Sequence, residues 1–108
     1  MPERVQEFCK SLRVRLTWGT HAKREFVNDR YGLHRAGPPP SEVHGKDWEL
    51  VEAAADGDRV DKVVLRRTHA ENLDIVLVLT SGGFVKTVWA NRPGDQHGTL
   101  DASKYATA

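Results

Sequence analysis

The stretch Asp74-Ile-Val-Leu-Val-Leu-Thr-Ser-Gly-Gly-Phe-Val-Lys-Thr-Val-Trp-Ala-Asn91 governs how this chain folds. Its first half, Asp74 to Leu79, is nearly all β-branched residues or leucine, as in a strand covered on both faces. Ser81-Gly-Gly83 supplies a turn. Phe84 to Asn91 then alternates, with Val85, Thr87, Trp89 and Asn91 on one face and Phe84, Lys86, Val88 and Ala90 on the other. A polar, aromatic face on a well-packed sheet makes a plausible floor for a site.

Working outward, Lys62 to His69 is a strand, Ala70-Glu-Asn72 a turn and Leu73 to Thr80 a strand, so that with Phe84 to Asn91 they predict an antiparallel meander. Upstream the apolar period is mostly helical. Pro2 to Leu12 places Val5, Phe8, Cys9 and Leu12 on one face. Cys9 on that stripe reads as a small core residue. Arg13-Val-Arg-Leu-Thr-Trp18 alternates as a half-buried edge strand, with Val14, Leu16 and Trp18 inward. Thr20 is placed to cap a helix from His21 to about Arg30, with Ala22, Phe26 and Val27 inward and Gly32 as its close. Ala36-Gly-Pro-Pro-Pro-Ser41 is a stiff connection. A third helix is expected from about Asp47 to Ala55, stopped by Gly57.

These elements predict an α+β domain, with N-terminal helices packed on an antiparallel β-meander sheet. The 108 residues suit one domain (helices mainly within 2–56, the meander in 62–91, a tail in 92–108), enough to bury roughly 65% of the unfolded surface. A hydrophobic share of 39% beside 29% charged residues excludes wholesale disorder. No stretch approaches the ~20 apolar residues of a membrane span. Acidic residues near Met1, where a signal peptide would be apolar, and a lone cysteine predict a cytoplasmic protein.

The net charge of +1 conceals a division: residues 1–36 carry +4, residues 37–61 carry −5 and residues 62–108 carry +2. A basic N-terminal third suits a polyanion, and the acidic middle restricts any such contact to a local patch. His21, His34, His44, His69 and His97 have neither the i, i+4 pairing nor the cysteine or carboxylate spacing of a zinc site. There is no glycine-rich phosphate loop and no Gly-x-Ser-x-Gly turn, so neither metal nor cofactor is expected.

What remains is a dispersed set: His21 with Arg24 at a helix start, Arg66 and Arg67 on one strand, Lys86, Thr87 and Trp89 on another, and His97 in the tail. Such a set suits metal-free RNA cleavage. The neighbouring 2′-OH attacks the phosphate, and the protein need only move protons and stabilise the extra negative charge. Histidine titrates in the right range, arginine or lysine holds the phosphate, and tryptophan stacks on a base.

The segment His21-Ala-Lys-Arg-Glu-Phe-Val-Asn-Asp-Arg-Tyr-Gly32, followed by a meander ending in Thr87-Val-Trp89, resembles the barnase–EndoU–colicin–RelE superfamily of small toxin ribonucleases, most of all its colicin D-like branch and related domains. The resemblance covers about twelve residues at the helix and eight on the strand. It implies that His21 is the catalytic histidine, Thr87 the active-site hydroxyl and Trp89 the aromatic beside it, with Arg24 and Lys86 for phosphate. Two features depart from the pattern: basic residues fall three and nine positions after His21 rather than about four and eight, and the proline-rich insertion is additional. The tail Asn91 to Tyr105 is similar to the C-terminal segment of small actinobacterial and phage proteins.

The function expected is therefore a cytoplasmic, metal-independent endoribonuclease of the toxin type. His21 is the base, Arg24 with Arg67 or Lys86 stabilises the phosphate, Thr87, Trp89 and Arg66 position RNA, and His97 is a second proton carrier. Its partners would be RNA and a neutralising protein, without a membrane. The alternative is a non-enzymatic phage or mobile-element protein whose sheet binds a host protein or nucleic acid.

Overall fold

A computed structural model describes residue 7 and residues 10–56 and 59–93. The helix expected over 2–12, with Cys9 on it, falls largely outside the described residues, as do His97 and most of the tail.

The architecture is a mixed α+β fold with one main helix and a mostly antiparallel sheet. Strands β1 (Arg13–Arg15) and β2 (Thr17–Trp18) precede helix α1 (Thr20–Asn28) and a single helical turn, α2 (Leu33–Ala36). Then follow β3 (Glu42–His44), a 3-10 turn, β4 (Glu49–Asp56), β5 (Arg59–Ala70), β6 (Leu73–Thr80) and β7 (Phe84–Asn91). The larger sheet has the order β2-β7-β6-β5-β4 and is antiparallel except for the short β2–β7 pair; β1 and β3 form a separate antiparallel ribbon.

The strand at the centre behaves as its composition dictates. β6 is hydrogen-bonded to β5 on one side and β7 on the other, and Ile75 to Leu79 are buried on both faces. Leu65, Ile75, Leu77, Val88 and Ala90 face a core closed by Ala22 and Phe26 of α1, Leu33 of α2 and Val43 of β3. The opposite face carries Val64, Val76 and Val78 with Val51 and Trp89. Val14, Leu16 and Trp18 turn inward as their alternation requires, and the Trp18 indole donates to the Pro40 carbonyl at 2.8 Å. The proline run is thereby tied to the first strands.

Four expectations are corrected. The helix expected over Asp47 to Ala55 is the strand β4, with only Gly45–Asp47 in a 3-10 turn. Its alanines favour helix, but β5 offers a long edge and pairing there outweighs a weak local preference. A bulge between Leu50 and Glu52 accounts for the non-alternating pattern that looked helical. Thr20 is the first residue of α1 rather than its cap; Gly19 takes that position without a side-chain bond. Val27 is 52% exposed, because only Ala22 and Phe26 lie on the inward stripe of so short a helix. Gly32 does not close α1, which ends at Asn28; it precedes α2 in the left-handed region, φ +78°.

Two turns set the register. Asn72 and Gly82 adopt positive φ in the β5–β6 and β6–β7 connections. Gly83, at φ +81°, has a tighter constraint: a Cβ there would collide with the Arg15 carbonyl oxygen and the Val14 side chain. The β6–β7 turn is thus pressed against β1.

Candidate functional site

A register shift inside β7 determines what lines the site. Val78 pairs with Thr87, but Leu79 pairs with Val85, so Lys86 is an extra residue bulged out of the ladder. The strict alternation expected for β7 is therefore broken. Val85 joins the core face with Val88 and Ala90 instead of sharing a face with Thr87. Phe84 pairs with Thr80, two residues from the Val78 that pairs with Thr87, so the register sets Phe84 on the face of Thr87 rather than opposite it. Trp89 continues that row, half-buried against Val64, Val76 and Val78.

α1 completes the site from the side. β2 pairs with β7 only at Phe84 and Val85, so further along β7 the backbone N–H groups on that edge lack a strand partner. Carboxylates of α1 and its C-cap take them: Val88 N–H donates to Glu25 at 3.4 Å and Ala90 N–H to Asp29 at 3.3 Å. Asp29 is itself fixed by accepting from Tyr31 N–H at 2.8 Å. Glu25 and Asp29 lie four residues apart and so share one face of the helical path.

Glu25 does more than close an edge. Its Oε1 accepts from the Thr87 hydroxyl at 2.6 Å and lies 3.3 Å from His21 Nε2. One oxygen touches both groups, so imidazole and hydroxyl lie within about 6 Å of each other. Thr87 is only 8% exposed, whereas the His21 side chain is 74% exposed. The result is a fixed hydroxyl and carboxylate beneath an accessible imidazole. Arg24 precedes Glu25 on α1 and Lys86 precedes Thr87 at the bulge, and both are exposed. Neither makes an ion pair among the described residues.

The other cations are placed elsewhere. Arg66 is 6% exposed, donates to Asp74 Oδ2 at 2.8 Å and to the Arg92 carbonyl at 3.0 Å, and serves the sheet. Arg67 points to the opposite face from Arg66, stacks 4.4 Å above the Trp48 ring and borders a polar cleft with Pro38, Pro40, Glu42 and His44. It is aligned through Ile75 with Ala90, two strands from β7 (about 10 Å) and on the face away from Thr87. The structure thus brings together His21 and Thr87, with Trp89 next along the row; Arg66 shares the face of Trp89 through Val76 but is committed to Asp74 and the Arg92 carbonyl, and Arg67 lies on the other face.

Glu25 is the residue that sequence reasoning missed. Its signal was present, since His21 and Glu25 are i and i+4 on a helix, an ion-pair spacing. The sequence reading pairs His21 with Arg24 instead. Among the described residues no group of three or more His, Cys, Asp or Glu is gathered for a metal, and no helix is long and apolar enough to cross a membrane. No family model, no curated protein and no solved structure matches this chain.

Proposed function

We propose that the protein is a metal-independent endoribonuclease that cleaves RNA by attack of the 2′-OH on the adjacent phosphate. The observation that supports this best is the Glu25 carboxylate oxygen shared by His21 and Thr87. Glu25 lies 3.3 Å from Nε2 of the exposed imidazole and favours a proton there, as the carboxylate does in a nucleophile–histidine–carboxylate triad. With the proton on Nε2, Nδ1 carries the lone pair that accepts the 2′-OH proton. The O2′–P bond forms, the P–O5′ bond breaks, and the departing 5′-oxygen takes a proton, a role assigned to His97. The Lys86 ammonium and the Arg24 guanidinium neutralise the phosphate at its most negative. Arg66 and Arg67, engaged elsewhere, take no part.

The test is incubation of purified protein with a defined RNA oligonucleotide in EDTA. Cleavage is expected to leave a 2′,3′-cyclic phosphate, to stop when the cleaved position carries a 2′-deoxyribose, and to be lost in His21→Ala. Cleavage of the deoxy substrate, or undiminished activity in His21→Ala, overturns the reading.

A second reading has its own support. Glu25 also accepts from Val88 N–H, so its position follows from closing the β7 edge, and the shelf of His21, Arg24 and Lys86 then serves as a binding patch for a host protein or nucleic acid. Stable RNA binding without any cleavage favours it.

A further inference from the structure

The bulge at Lys86 brings Phe84 onto the same face as Thr87, and Phe84 is 41% exposed, an uncommon condition for a phenyl ring on a sheet. Their partners Thr80 and Val78 are two residues apart on β6, so the two side chains are neighbours along the row, about 7 Å apart. The ring is also seated. A Cβ on Gly19 would lie 2.9 Å from Phe84 Cζ and 3.1 Å from Cε2, so the bare backbone of Gly19 accepts the ring edge. Gly19 caps the helix on which His21 occupies the first turn. Phe84 is therefore anchored at one edge and open elsewhere, next to Thr87 along the row and seated against the residue that caps the helix of His21. Trp89, the aromatic on the other side of Thr87, is spent largely on the Val64, Val76 and Val78 cluster.

We propose that Phe84 is the base-stacking residue of this site, holding the base of a single-stranded nucleotide beside the phosphate that faces Thr87. The inference rests on the ribonuclease reading and names its substrate class: single-stranded RNA, since a paired base cannot leave its stack to lie on the ring. Every base has a π-face, so Phe84 confers preference for single strands rather than for one sequence.

The experiment measures fluorescence anisotropy of a labelled single-stranded RNA in the cleavage-deficient His21→Ala protein, with Phe84→Ala and Phe84→Trp added to it. Stacking is worth roughly fivefold to a hundredfold in affinity per base, so Phe84→Ala is expected to weaken binding about tenfold and Phe84→Trp to retain it. Equal affinity of the Phe84→Ala and parent proteins overturns the proposal, as does an absence of binding in the parent. Cleavage by protein with His21 intact separates the two ideas. If Phe84→Ala cleaves with unchanged kcat/KM, the stacking role falls while the ribonuclease reading stands. If even wild-type protein does not cleave, both fall.

Discussion

β6 and β7 are both eight residues long and adjacent, yet they end up with different chemistry. β6 is hydrogen-bonded along both sides, and its side chains from Ile75 to Leu79 have only packing to satisfy. β7 has β6 on one side and, on the other, a two-residue contact with β2. Its remaining edge donors go to carboxylates of the helical segment, because a buried N–H without an acceptor costs too much to leave. A helix that satisfies a strand with side chains also brings its other side chains to that edge. His21, beside the same Glu25 oxygen, lies close to Thr87 for this reason. The candidate site is thus a by-product of an incomplete ladder.

The contrast can be broken by substitution. The largest effect is expected at β6, where Leu77→Ala should cost about 3–4 kcal/mol in urea unfolding and leave activity per folded molecule unchanged. A loss under 1 kcal/mol would show that β6 is not the packed centre. Next is Arg66→Ala, which leaves the Asp74 carboxylate, 15% exposed, without its cation and should cost about 3 kcal/mol. RNA affinity should not change, and a selective loss of binding would return Arg66 to the site. Glu25→Ala strands the Thr87 hydroxyl and the Val88 amide, both in buried residues. About 2 kcal/mol of stability should go, and hydrogen exchange should quicken at Val88 while Leu77 stays protected. Unchanged exchange at Val88 would mean that α1 does not close the edge. Smallest of all, Lys86→Ala and Arg24→Ala should shift stability by less than about 0.5 kcal/mol, both being exposed. Each should flatten the salt dependence of RNA binding by about one unit of slope.

The same contrast explains what could be read from the sequence. β6 and β7 were legible to the residue, because continuous β-branched composition and a glycine turn leave few alternatives. The inward stripe Val14, Leu16 and Trp18 was legible through alternation. β4 was not: Trp48, Leu50, Val51, Ala54 and Ala55 fit a helical face, and the deciding influence was the distant edge of β5. The bulge at Lys86 was equally hidden, since it arises from pairing with β6, and it moved Phe84 across the sheet. For the site, His21 and Thr87 were legible as chemistry and meet through a residue that was passed over. Arg66 and Arg67 show the limit: adjacent on one strand, they point to opposite faces, and burial against Asp74 and stacking on Trp48 were not written in their spacing.

The collision that any side chain at position 83 would suffer has a practical consequence for handling the molecule. The β6–β7 connection cannot accept a spin label, a fluorophore or an inserted epitope at that residue without prying β1 from its seat. Glu71, in the β5–β6 connection, is exposed and has an ordinary negative-φ backbone, which makes it the safer place for a reporter. A probe there can follow unfolding while leaving the α1–β7 shelf undisturbed.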